Sequence, residues 1–145
     1  MTLTDSSVAA LLDELMLLGR TVRADVARAD GAADGLAAPL VGVLWALDSA
    51  GPVRQNCLAD KLFVSESVLS RQISKLVAAG LLERSRDGQD GRATQVVITD
   101  AGREALSAAM RRRFDCIAPK LTQWSDADAA AALGALRKLR SSLSQ

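Results

Sequence analysis

Apolar residues recur at Val8, Leu11, Leu12, Leu15, Leu18 and Val22, in steps of three and four, which predicts a helix over 6–29 with one apolar face. The pattern breaks over 30–38, where Gly31, Gly35 and two aspartates read as a loop. Pro39 suits the first turn of a second helix, and 40–49 (LVGVLWALDS) is apolar nearly all round. That helix is expected to be buried, Trp45 included, and Ala50-Gly51-Pro52 ends it.

Two short helices follow. The first, over 54–62, turns Leu58 and Leu62 inward. The second, over 66–79, has Ser65 as its N-cap and Gly80 where a left-handed residue terminates a helix. Leu69, Ile73, Leu76 and Val77 form its apolar stripe. After Gly80 the period shortens: 81–85 and 93–98 read as strands around the polar, turn-rich stretch Arg86 to Arg92, a β-hairpin. Helix, tight turn, helix and hairpin in that order make a winged helix-turn-helix. Thr99 caps a further helix over 100–118, which Pro119 ends or kinks, and Ser125 with Asp128 forms a capping box for a last helix carrying Leu133, Leu136, Leu139 and Leu143. The fold class is therefore mainly α with a small β-hairpin wing (α+β). The winged helix-turn-helix spans 36–102, and helical regions at 1–35 and 103–145 flank it as dimerisation elements.

Composition narrows the function more than it names it. Of the 145 residues 49% are apolar but only 3% aromatic, so the core is aliphatic. Without histidine the chain lacks the usual metal ligand and general base. Cys57 and Cys116 are far apart and fall in no metal-binding spacing, so neither a metal nor another cofactor is expected, and small buried hydrophobes are the better reading of both. No nucleophile–base pair points to an enzyme. The N-terminus does not resemble a signal peptide and no apolar run is long enough to span a bilayer, which gives a cytoplasmic expectation and no membrane partner. Net charge is only +1, so any electrostatic attraction to nucleic acid must come from where the charges sit.

On the helix 66–79 the side opposite the apolar stripe holds Ser67, Ser70, Arg71 and Ser74, with Lys75 beside them. Taken alone, such a stripe is more often a solvated face. Joined to the preceding helix, the Ser65 cap and the wing, it fits a major groove, where small serines permit close approach and one Arg offers paired hydrogen bonds to guanine. Arg84, Arg86 and Arg92 lie on the wing, with Asp90 placed to orient Arg92 at a tip that turns on Gly88 and Gly91.

Asp90-x-Arg92, five intervening residues, then Ile98-Thr99-x-x-Gly102 resembles the signature of the MarR (multiple antibiotic resistance regulator) family. Leu58-Ala59, the Ser65–Leu76 helix and Gly80-Leu81-Leu82-x-Arg84 follow the family's pattern in order. The resemblance implies a homodimeric transcription repressor whose winged units straddle a pseudo-palindromic operator in double-stranded DNA. It places the base-reading contacts at Ser67, Ser70, Arg71 and Ser74 and the wing-tip cation at Arg92. Arg54 stands where the family often has a capping Thr or Ser, which leaves Arg54 or Gln55 as the candidate phosphate contact. Release by a small aromatic or anionic effector is implied as well. Met16, Arg20, Trp45, Met110 and Phe114 are the candidates to line its site, although Trp45 by itself reads as core.

Two other readings remain open: a cysteine-based redox-responsive regulator, or a protein-interaction module on the same scaffold. Against the first, residues 1–56 hold no cysteine and the chain no tyrosine, the residues a peroxide-sensing branch of the family relies on. Against the second, an interaction module has no need of Ser67, Ser70, Arg71 and Arg92 together.

Overall fold

The computed structural model describes residues 2–31, 35–86 and 94–144. Among the described residues the elements run α1 Asp5–Asp30, α2 Ala38–Ala50, β1 Val53–Arg54, α3 Gln55–Leu62, α4 Glu66–Ala78, β2 Leu82–Arg86, β3 Thr94–Ile98, α5 Asp100–Ile117, a 3-10 turn Ala118–Leu121 and α6 Asp126–Leu143. None of these helices is long and apolar enough to cross a membrane.

The caps explain most boundaries. Thr4, Ser65, Thr99 and Ser125 each accept a hydrogen bond from a backbone N–H in the first turn of α1, α4, α5 and α6. Ser125 and Asp128 complete the capping box in both directions. Its backbone and side-chain hydrogen bonds to Ser125 hold the Asp128 carboxyl below the usual carboxylate range. Gly80 follows α4 at φ 75°, a left-handed turn that glycine makes without steric cost. Pro119 lies in the 3-10 turn that succeeds α5, whose last residue is Ile117.

Two expectations are corrected. The sheet has three strands in the order β1-β3-β2, because Val53 and Arg54 pair antiparallel with Val96 and Gln95 on the free edge of the hairpin. Arg54 is thus strand and N-cap, and α3 begins at Gln55. The second correction concerns α2: Val41, Val43, Leu44 and Leu47 are buried, but Trp45 is 56% exposed. Four inward positions saturate one side of a thirteen-residue helix, which leaves the large indole outside.

The core joins these residues of α2 to Leu58 and Ala59 of α3, Leu69, Ile73 and Leu76 of α4, Leu82, Val96 and Ile98 of the sheet, and Leu106 and Ala109 of α5. Gly102 shows how tightly α5 enters: a Cβ there would lie 2.2 Å from the Leu81 carbonyl oxygen and 2.7 Å from Ile98. Thr99 fastens the same junction. Its hydroxyl donates to the Gly80 carbonyl at 2.7 Å and its N–H to the Leu81 carbonyl at 3.1 Å. The Thr99-x-x-Gly102 part of the signature is therefore a clamp between the end of α4 and the start of α5.

Outside this unit, α1 is tied to α5 largely by polar contacts. Arg113 donates to both carboxylate oxygens of Asp30, at 3.1 and 2.6 Å, and Asp30 is only 1% exposed. Lys120 donates to Asp25 at 2.7 Å, and Arg28 pairs with the same carboxylate.

Candidate nucleic-acid interface

Helix α4 is amphipathic in the sense that the interface requires. Leu69, Ile73 and Leu76 are buried, while Ser67, Arg71, Ser74 and Lys75 are exposed and Ser70 is half-buried between the two sides. Ser65 holds the start of the helix: its Oγ accepts from the Val68 N–H at 3.3 Å and lies 3.2 Å from the Ser67 hydroxyl. The helix thus presents small hydroxyls and two long cations, Arg71 and Lys75, beyond a fixed N-terminus, to which its dipole adds partial positive charge.

The wing is braced against this helix. Arg84 of β2 donates from Nη2 to the Ser74 Oγ at 3.1 Å. That bond occupies a lone pair of Ser74 but leaves its O–H free to donate, and it fixes the Arg84 guanidinium beside α4. Arg86 is exposed at the last position of β2. Arg71, Lys75 and Arg86 make no ion pair among the described residues, whereas Arg103, Arg111, Arg113 and Lys120, on α5 and the turn after it, are all paired with aspartates. Asp90 and Arg92 lie outside the described residues.

The beginning of α3 lies across an open cleft from the start of α4. Arg54 is an extended N-cap without a side-chain cap bond, and the Cys57 N–H is satisfied by the Asn56 carboxamide at 2.9 Å. Arg54, Gln55 and Asn56 line an open cleft of 310 Å³ with Glu66 and Thr94. Asn56 and Thr94 carried no signal in the sequence, because only the folded β1–β3 pairing brings Thr94 to the start of α3. Cys57 is exposed, against the expectation of a buried thiol: Leu58 and Ala59 take the inward positions of this short helix and turn Cys57 outward. Cys116 is half-buried, its Sγ 3.8 Å from the Asp25 carbonyl oxygen.

The candidate effector residues fall in separate places. Met110 and Phe114 line an apolar cavity of 550 Å³ with Arg113, Ile117, Ala118 and Leu121. Trp45 borders a different cleft, of 310 Å³, between α2 and the end of α3. Met16 and Arg20 are exposed on α1 and line neither.

Known proteins resemble this chain in sequence and in fold. Residues 35–93 match the sequence model of the MarR family. The uncharacterized HTH-type transcriptional regulator YxaD of Bacillus subtilis is 36% identical over 83 residues, 57% of this chain and 58% of that protein. The chain spans less than two thirds of the length of the curated relatives it matches. In fold it is similar to a MarR family protein from Bacillus stearothermophilus, at TM-score 0.85 and 18% identity over 99% of this chain and 100% of that one. It is also similar to a mutant MarR from E. coli complexed with operator DNA, at TM-score 0.75 and 18% identity over 95% of this chain and 99% of that one. The winged segment is thus similar in sequence to the MarR family, and nearly the whole chain shares the fold of MarR family proteins.

Proposed function

We propose that this protein is a sequence-specific DNA-binding transcription regulator that acts as a homodimer on an inverted-repeat operator. The observation that carries this reading is the exposed face of α4, where Ser67, Ser70 and Ser74 flank Arg71, which makes no ion pair among the described residues, on a helix whose start is capped by Ser65 and whose side is braced by Arg84. Such a face lets the helix backbone approach base edges, with Arg71 placed to donate two bonds to a guanine. Ser65, Lys75, Arg54 and Gln55 would hold the phosphates on either side, and Arg84, Arg86 and the wing tip at Asp90 and Arg92 would follow the adjacent minor groove. Similarity in fold to an E. coli MarR complexed with operator DNA supports the DNA-binding reading.

The dimer is proposed from the terminal helices, since the apolar faces of α1 and α6 have no cover within one copy. Two-fold pairing places the two α4 helices about one turn of DNA apart, or a multiple of it. A small aromatic or anionic effector bound beside Met110 and Phe114 would act by changing that separation. Repression follows where the operator overlaps a promoter.

Arg71→Ala tests the reading of bases. It is expected to weaken binding to the preferred sequence by about 1–3 kcal/mol and to relax discrimination at one base pair per half-site. Unaltered discrimination among operator variants in a gel-shift series would remove Arg71 from the bases.

A further inference from the structure

Phe63 occupies the turn between α3 and α4 and is 95% exposed, the highest value of any large hydrophobic side chain among the described residues. It is also the single non-glycine residue with positive φ among them, at φ 55° and ψ 40°. In this left-handed region the Cβ of an L-residue crowds the backbone, a position that glycine fills without penalty. Backbone hydrogen bonds hold the turn. The Phe63 N–H donates to the Asp60 carbonyl at 3.3 Å and the Val64 N–H to the Ala59 carbonyl at 3.2 Å, while Val64 packs on the core. A bulky ring therefore stands where the fold favours no side chain, and it buries nothing in return. Strain of this kind, held in place by its surroundings, points to a task outside the fold.

Position indicates the task. Phe63 is two residues ahead of the Ser65 cap, at the end of α4 that a helix-turn-helix presents to base edges. The apolar group that B-DNA offers in the major groove is the thymine C5-methyl, and phenylalanine is among the side chains that contact it. We propose that Phe63 packs on a thymine methyl at one position of each half-site and is a specificity-determining residue of this protein. This rests on the proposed DNA-binding function.

The test uses the full chain and a DNA sequence that it enriches from a random pool. Enrichment itself checks the DNA-binding reading, and its failure would remove both claims. Each thymine of one half-site is then replaced in turn by deoxyuridine, which lacks only the methyl. The wild type is expected to lose about fourfold in affinity at one such position, the factor that corresponds to one buried methyl. F63G is expected to bind the unmodified site more weakly, to be indifferent to deoxyuridine at that position, and to unfold at a higher temperature than the wild type. Enriched DNA whose thymines all tolerate the replacement, or an equal loss in wild type and F63G, would overturn the role of Phe63 while leaving DNA binding in place.

Discussion

The winged segment and the terminal helices are built on opposite principles. From α2 to the first turns of α5, every element contributes to one closed aliphatic core, and the residues of the candidate interface are among the polar side chains left outside. By contrast α1, twenty-six residues long, buries only Asp25, Ala29 and Asp30, and no residue of α6 is buried among the described residues. Leu11, Leu18, Leu133 and Leu136 remain exposed, and between α1 and α6 runs a narrow apolar groove of 190 Å³ lined by Leu11, Leu15, Leu18, Leu136 and Leu139. A helix with an apolar stripe is stable only when that stripe is covered. One region thus carries its own reason to fold, and the other leaves an apolar face that the proposed dimer would cover.

The largest expected effect comes from charging the uncovered face. The double substitution Leu133→Glu, Leu136→Glu should turn the proposed dimer into a monomer in sedimentation equilibrium, while α-helical content in the winged segment survives. A dimer that persists would place the interface elsewhere and erase the contrast between the regions. Next is the tie between them. Arg113→Met leaves the Asp30 carboxylate buried and unpaired, a change that typically costs about 3–5 kcal/mol, and it should lower the denaturant midpoint accordingly. A loss under 1 kcal/mol would mean that packing and not the ion pair seats α1. A smaller effect is expected from acid. Lys120 first, and Arg28 after it, hold the Asp25 carboxyl below the usual carboxylate range, against the upward push of its partial burial. A carboxylate depressed in the folded state adds stability above its unfolded pKa and loses it as pH falls through the folded value. Acid titration should therefore loosen α1 from the 3-10 turn after α5 at the low end of the carboxylate range, and Lys120→Met should flatten that response.

Much of the winged segment was legible because its signals are local. The Ser65 and Thr99 caps, the left-handed Gly80 and the apolar stripe of α4 each act within a few residues, as does the Ser125 cap of α6 beyond it, so pattern and structure agree. The serine and arginine face of α4 was legible for the same reason, as the complement of that stripe. What escaped depends on residues distant in sequence. Val53 and Arg54 are too short a strand to show alternation and become one only through Val96 and Gln95. Arg84 bonds to Ser74 ten positions away, and Arg113 to Asp30 across the length of the chain. Trp45 and Cys57 were misjudged because composition says that a residue is apolar or small, not which side of a helix the core has already filled. Phe63 gave no warning at all, since its interest lies in a backbone angle.

The central claim is that one self-contained winged segment reads DNA while the terminal helices set two of them in register. Selecting bound sequences from random DNA with the full-length protein tests this most directly. The account expects enrichment of an inverted repeat whose half-site centres lie about 10 base pairs apart, or a multiple of that spacing. Sequences without two-fold symmetry, or no enrichment over the starting pool, would contradict it.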